Sequence, residues 1–553
     1  MRPRSSRSHG AAAPQRKGKA PYMALTHRPR ASRLPFASLT FAAAYAPAAL
    51  ACAFALGACG KEFTAHPPDA STSTGGGGIG GGEGGGGGLG GGGGDGAGGG
   101  TGGGCPGGGA VCGAACVDLE TDAEHCGACD NACSTFGGTS ICRDGACQPP
   151  VCEPGRGDCD RDPGSGCEED LSTSAAHCGT CDKPCAGQCV RGACASPVQI
   201  SVGADYTCAV LSDQTVWCWG RNTWGNLGDG TRQQDRPIPR QVMGLAGHAV
   251  QVAAGLSASR THTCAVLTDG AVACWGAGNS GQLGDGNTAS SLVPLRVKDL
   301  TTATRIAVGA AHTCAVTSAH TLWCWGEGGD GQLGYGGHDD QAAPLVILDG
   351  VETVAAGLAH TCAGMSERMG ESRMRCWGNN LDGQLGLGDF SAKSTPTLLA
   401  RLSSVAHVAV GTLHTCAAPL SGVASCWGKG DHFRLGTGFE ASEAFPREVP
   451  EVVDVAGLAL GARHSGAVLT GGEVLMWGDN AKGQLGNGTL DRALTPQRIE
   501  LPSAVALALG EDHSCALTRS GEMLCWGDNT NGQLGDGTTE QRLVPTPVRW
   551  PAR

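Results

Sequence analysis

Between Val198 and Trp550 the chain returns seven times to the tripeptide Cys-Trp-Gly, once as Met-Trp-Gly, at Trp219, Trp275, Trp325, Trp377, Trp427, Trp477 and Trp526. The spacings are 56, 50, 52, 50, 50 and 49 residues. So regular a period constrains the fold more than any other feature, because each unit must bury its apolar face against the next copy. Every unit has one plan. A short alternating segment ends in glycine (QVAAG, RIAVG), and His-Thr-Cys-Ala-Val follows. Then come a turn of Ser, Thr, Asp and Gly, a segment ending Cys-Trp-Gly, a loop of the type GQLGDG, and a last segment opened by proline. Alternation over short runs broken by Gly, Asp and Pro predicts strands, not helices. Three or four such strands in each of seven units predict an all-β, seven-bladed β-propeller over residues 198–553.

The cysteines of the repeat come in pairs. In the second unit the loop Thr268-Asp269-Gly270 places Cys264 opposite Cys274. Opposed residues of an antiparallel pair have Cα atoms roughly 4.5 to 5.5 Å apart, within the roughly 4.4 to 6.8 Å that a disulfide spans. Cys208–Cys218, Cys314–Cys324, Cys416–Cys426 and Cys515–Cys525 have the same spacing. Cys362–Cys376 is four residues longer, an even insertion that keeps both side chains on one face. The sixth unit loses both partners together, to Gly466 and Met476. Metal ligation or independent thiols would not require a joint loss; a covalent pair does. Six disulfides within blades are expected.

The units GxxHTCAV…WGxNxxGQLGxG resemble the repeats of the regulator of chromosome condensation family. That resemblance implies a seven-bladed propeller. It is less specific for function, because function resides in sites grafted on folds. The family's founder acts on a small GTPase at chromatin, and a secreted inhibitor of β-lactamase shares the propeller. Other propellers are hydrolases or lyases, which leaves an enzyme acting on an envelope polymer as the rival reading.

Ahead of the repeats, residues 1 to 33 carry nine Lys or Arg and no acid, and an apolar run from Leu34 to Ala58 ends in Leu56-Gly57-Ala58-Cys59. A basic head, an apolar stretch and small residues describe an export signal. Its ending resembles the lipobox of bacterial lipoproteins, which implies that Cys59 receives a lipid after removal of residues 1–58. A plain secretory signal and an uncleaved anchor are the alternatives, and translation starting at Met23 is a further one. Residues 59–104 form a tether, with 24 glycines among the 30 residues from Gly75 to Gly104 and an r.m.s. reach of roughly 35 to 40 Å.

Residues 105–197 hold sixteen cysteines and a duplicated unit, ACVDLETDAEHCGACDNAC and GCEEDLSTSAAHCGTCDKPC, each followed by a CxxGxC tail. An even cysteine number in an exported chain predicts two disulfide-stapled modules. Zinc at His125-Cys126-x-x-Cys129 and His177-Cys178-x-x-Cys181 is the alternative. The segments resemble the cysteine-rich unit of the stigma-specific protein family. Asp158, Asp160 and Asp162 with Glu169 have a calcium-like spacing, but Pro163 stands where an EF-hand needs glycine, so an acidic turn is expected.

The whole chain has a net charge of −12, and removing the nine positive charges of the leader leaves −21. Such acidity disfavours nucleic acid as a partner. GQLGDG lacks the following Gly-Lys-Ser/Thr of a phosphate loop. The residue after Trp-Gly is variously Arg221, Ala277, Glu327, Asn379, Lys429, Asp479 and Asp528, which excludes a repeated calcium cage. His262, His312, His360, His414, His464 and His513, with Tyr206 in unit one, recur once per blade. They are expected to hydrogen-bond their own turns. No catalytic residues, metal or cofactor are expected.

Departures from the repeat carry the functional expectation, with surface drift as the alternative. The insertion LSASRT in unit two contributes Ser257 and Arg260, and the altered turn of unit five contributes Lys429, His432, Phe433 and Arg434. Both are expected on one face, as candidate partner-binding residues, with the long tip of residues 365–375 on the other. The expectation is a monomeric, non-enzymatic lipoprotein, held at the outer membrane or cell surface by its lipid and binding a protein, for example an exported enzyme that it inhibits.

Overall fold

The computed structural model describes residues 105, 109–185, 187–245, 247–365, 373–402, 404–419 and 422–551. Cys59, the leader and the glycine tether lie outside the described residues. Seven four-stranded antiparallel sheets follow one another along the chain, each a meander in which sequence neighbours pair. In blade 2 the strands are Ala249–Ala254, His262–Leu267, Val272–Gly276 and Ser291–Arg296, from the axis outward. The second and third are buried at every position. Neighbouring blades cover both faces of each sheet, so these strands read as continuous apolar runs. The outer strands are edges, and each carries proline (Pro294, Pro344, Pro396 among them) that withholds a donor from edge-to-edge pairing.

The six blade pairs of cysteines are bonded, with Cα atoms 4.1 to 4.2 Å apart. Leu267 N–H donates to Ala271 at 2.9 Å and Ala277 N–H to Thr261 at 2.9 Å. Hydrogen-bonded pairs therefore fall at odd positions of the second strand, and Cys264–Cys274 occupies the closer, non-hydrogen-bonded kind. In blade 6, Gly466 stands opposite Met476. A Cβ on Gly466 would lie 2.6 Å from the Met476 sulfur. Methionine has therefore grown into the space the glycine vacates. Two cysteines and a Gly–Met pair hold the same number of side-chain heavy atoms, so the exchange conserves core volume.

The blades are joined by a repeated relay. Between blades 2 and 3, His262 Nε2 lies 2.7 Å from Thr313 Oγ1. The Thr313 hydroxyl donates to the Gln282 carbonyl at 3.1 Å, and Trp325 Nε1 donates to the same oxygen at 2.9 Å. With the hydroxyl proton committed to Gln282, Oγ1 accepts from the imidazole, so Nε2 carries the proton. His312–Thr361–Gln332–Trp377, His360–Thr415–Gln384–Trp427 and His464–Ser514–Gln484–Trp526 repeat the arrangement. Tyr206 replaces histidine at the first seam and meets Thr263 Oγ1 at 2.9 Å. The histidines thus bond the next blade, contrary to the expectation that they serve their own turns; sequence proximity had favoured the local partner. The loop GQLGDG is the other half of the seam. Gly284, at φ +70°, has room for no side chain, since a Cβ would lie 2.6 Å from Trp325 Nε1.

Blade 1 comes wholly from the N-terminal end of the propeller and blade 7 wholly from the C-terminal end. The ring closes without strand exchange. His513 meets Thr207 at 3.0 Å, Thr207 donates to Gln533 at 2.8 Å, and Trp550 packs edge-on against Trp217 and Trp219. The cysteine-rich segment lies against the same blades: Gln188 Nε2 donates to the Pro551 carbonyl at 2.7 Å, and Ala195 shares a core with Ile200 and Leu211. Its sixteen cysteines form Cys105–Cys116, Cys112–Cys129, Cys126–Cys142 and Cys133–Cys147, then Cys152–Cys167, Cys159–Cys181, Cys178–Cys189 and Cys185–Cys194. Numbered within each eight, the order is first to third, second to fifth, fourth to seventh, sixth to eighth in both. The duplication extends to the covalent framework.

Candidate functional site

Two ion pairs show that the loop after the first strand and the loop after the third share one face. Arg260, in the first kind, lies 2.6 Å from Glu327, in the second. Arg463 and Asp479 repeat this at 3.5 Å. LSASRT and the turn at 429–434 are therefore on the same face, on blades 2 and 5. The tip of unit four between 366 and 372 lies outside the described residues.

The candidate residues fare differently on that face. Ser257 Oγ lies 3.1 Å from Ser259 Oγ at the surface. Arg260 is half exposed and bridges blade 2 to Glu327 of blade 3. Lys429 Nζ lies 3.7 Å from Asp431, and His432 Nδ1 lies 3.5 Å from Asp479. Arg434 is a correction: it is 3% exposed and cannot serve as a surface anchor. Its Nε donates to the Asp431 carbonyl at 3.0 Å and its Nη1 to the Ala462 carbonyl at 2.6 Å, and its own carbonyl takes the seam bonds from Ser465 and Trp477. The residue occupies the glutamine position of GQLG, which the altered surrounding sequence conceals.

Phe433 occupies the first glycine position of that motif. In the six other blades that position is glycine, and a Cβ would stand 2.5 to 2.8 Å from the next blade's outer strand. Phe433 keeps φ at +60°, beside His432 at +59°. Positive φ at a bulky residue is strain, of order 1–3 kcal/mol. Blade 5 therefore holds a strained, half-buried aromatic turn where its siblings hold a relaxed one.

Around this turn runs a charge network that the repeat pattern does not reveal. Asp479, 5% exposed, meets Arg492 Nε at 3.2 Å and Arg463 Nε at 3.5 Å, and Arg463 reaches Asp512 at 3.0 Å. Burial raises the carboxyls of Asp205 and Glu511, with added repulsion from neighbouring acids, while Arg221 pulls Asp205 downward. The face carries mixed charge from blade 5 through blade 7 to blade 1.

The axis is chemically plain by comparison. Its channel is lined by the innermost strands of all seven blades, chiefly Val202, Ala254, Val308, Ala356, Leu460 and Leu509. Its glutamines are occupied: Gln199 Nε2 donates to Val252 at 3.0 Å, and Gln251 Nε2 donates to Ile306 at 3.1 Å. The seam histidines are fully buried. Burial pushes His262, His360 and His464 down to about 3 and His312 and His513 down to about 4, and His414 lies well below its ordinary value. All are neutral donors at neutral pH.

In the modules the cysteines of both zinc-like strings are in disulfides. Asp158 and Asp160 bring carboxylate oxygens within 4.8 Å of one from Glu168, not from the Glu169 of the sequence spacing.

Residues 163–508 match the RCC1-like domain, and residues 504–533 and 520–553 match the regulator of chromosome condensation (RCC1) repeat. The ultraviolet-B receptor UVR8 of Arabidopsis thaliana is 32% identical over 232 residues, 40% of this chain and 51% of that protein. The human E3 ubiquitin-protein ligase HERC2 is 34% identical over 254 residues, 44% of this chain and 5% of that protein. The chain thus spans about half of the first of these relatives and a small fraction of the second. The structure of yeast RCC1 (Prp20) bound to Kap60 superposes with a TM-score of 0.53 at 20% identity, covering 64% of this chain and 85% of that one. That likeness is one of fold.

Proposed function

The chain belongs to the RCC1-like domain family, and we propose that it is a non-enzymatic scaffold whose loop face binds a protein partner. The observation that carries this reading is the turn of blade 5, where His432 and Phe433 hold positive φ on a seam that six other blades build with glycine. Strain of this kind persists where a rigid surround imposes it, and it clusters at binding sites. The yeast relative bound to Kap60 supports protein binding as the family's use of the fold. The aliphatic axis favours binding over catalysis, since the polar side chains Gln199 and Gln251 already bridge blades there.

In this proposal the binding takes place outside the cytosol of a bacterium, with Cys59 lipidated and the glycine tether holding the propeller off the membrane. The fourteen disulfides among the described residues support an oxidising compartment. An exported enzyme is the partner class that such a location offers. The test is affinity capture from the native envelope. A Lys429→Ala, His432→Ala, Phe433→Gly variant should keep the fold and lose the captured protein. Unchanged capture by that variant overturns the assignment of the loop face, and an intact leader on the native protein overturns the location.

A further inference from the structure

The propeller contains four phenylalanines, Phe390, Phe433, Phe439 and Phe445, all within 56 residues of blades 4 and 5. None is a core residue. Phe390 is 56% exposed, Phe439 59% and Phe445 39%, and Phe433 is half-buried. The cores are instead filled by tryptophan, leucine, valine and alanine, seven tryptophans being fully buried. The loop position of Phe390 holds Arg232, Thr288, His338 and Thr539 in blades 1, 2, 3 and 7, and that of Phe439, one residue earlier in the repeat, holds Thr231, Asn287, Gly337 and Thr538. Exposed aromatics confined to one sector of a seven-fold repeat are not a product of the repeat itself.

The three exposed rings lie along the outer rim across consecutive seams. Phe445, on the outer strand Glu443–Val453, packs its ring on Gly388, two residues before Phe390. Gly438, next to Phe439, donates to the carbonyl of Leu494 at 3.1 Å. Leu490 and Leu494 of blade 6, 52% and 48% exposed, extend the stripe. At about 200 Å² for a large side chain, these five expose on the order of 500 Å². That is near the upper end of the roughly 300–600 Å² typical of the largest patch on a monomer.

The charges of the rim select the occupant. Arg401 stacks on Phe445 at 3.9 Å from the ring centroid and has no ion-pair partner among the described residues. Glu448 and Glu451, on the same outer strand as Phe445, are exposed and also without an ion-pair partner among the described residues. A surface holding apolar rings, a free cation and free anions is complementary to itself under a two-fold rotation. Pro446 and Pro450 on that strand remove backbone donors, so the contact is between side chains and not between sheet edges. We propose that the rim of blades 4 to 6 is an isologous interface with a second copy of this chain, phenylalanines at its centre and Arg401 facing Glu448 and Glu451 of the other copy. The proposal replaces the monomer expected from sequence; Phe390 and Phe439 stand in loops that follow third strands, so the interface adjoins the loop face but does not use Lys429, His432 or Phe433. The apolar area falls short of the roughly 800 Å² per partner of a standard interface, so the dimer is weak, with a dissociation constant on the order of 10 μM.

Sedimentation velocity of the full chain between about 1 and 100 μM, spanning that weak-interface constant, tests it. The expected result is a concentration-dependent shift from one chain to two. A Phe390→Ser, Phe439→Ser variant should melt as the parent does and remain a single chain throughout. Arg401→Glu and Glu448→Arg, Glu451→Arg variants should each remain single alone and pair when mixed. A parent that stays a single chain at the highest concentration overturns the proposal, leaving the patch to some other molecule. So does a dimer that survives the serine substitutions, or one that the charge variants do not restore on mixing.

Discussion

Restoring the disulfide that blade 6 lacks, by Gly466→Cys with Met476→Cys, tests the account of why the two positions differ together. The backbone needs no change, since the pair is already opposed in register and in the other blades such pairs bridge at a Cα separation of 4.1 to 4.2 Å. Closing an eleven-residue loop stabilises by about 2.8 kcal/mol in the entropic model. A hairpin that is already ordered in part of the unfolded ensemble reduces that, and replacing glycine within a strand returns about 0.5–1 kcal/mol. Packing is close to neutral, because the atoms that leave Met476 reappear on residue 466. One correction is needed: the new Cβ would lie 2.6 Å from Leu507 Cδ2, so that leucine must rotate. A net gain of about 1–3 kcal/mol is expected, a rise in Tm of roughly 2 °C or more for a domain of this size. The single variants should behave oppositely. Gly466→Cys alone brings its Cβ to 2.6 Å from the Met476 sulfur and should destabilise by about 1–3 kcal/mol. Met476→Cys alone leaves a void and should lose about 2 kcal/mol. Non-reducing peptide mapping establishes the link, and thermal melts followed by tryptophan fluorescence give the three stabilities. If the linked double variant melts no higher than the parent, or if either single variant is neutral, the volume-exchange account is wrong.

Phe433→Gly, which restores the residue the other six blades use, should stabilise the fold by about 1 kcal/mol or more by relieving positive φ, read from urea denaturation; a loss of stability would refute the strain assignment. Stability should fall with acid through the seam histidines. The folded pKa values of His262, His312, His360, His464 and His513, about 3 to 4, lie below the ordinary value of about 6.5, so their contribution is complete above pH 6.5 and declines as pH drops toward the folded values. Each contributes a slope of up to about 1.4 kcal/mol per pH unit, and His312→Gln should remove one such increment between pH 6 and 4.5; an unchanged slope refutes burial as the cause. Thr207→Val removes the acceptor of His513 and the donor to Gln533 at the closing seam. It should lose about 2 kcal/mol or more, by urea denaturation, whereas a neutral effect would show that the Trp550 contacts alone close the ring.

The repeat period, the strand breaks and the paired cysteines are local patterns. They determined the class of fold, the number of blades and which cysteines oppose one another, because strand register ties a position to its partner ten residues away. The joint change to Gly466 and Met476 was legible for the same reason. What the sequence could not give is any relation between residues whose separation the repeat does not set in advance. His262 reaches Thr313 and Arg434 reaches Ala462 only because blades stack, so a regular histidine looked local and a buried arginine looked like a surface anchor. The order of the module disulfides and the closure by Trp550 against Trp217 and Trp219 depend on the path of the chain through space. The stripe of Phe390, Phe439 and Phe445 was present in the sequence as a clustering of phenylalanines. Only the tertiary structure decided that those rings face solvent, since blade cores are closed by tryptophans under the seam glycines and leave the outer rim uncovered.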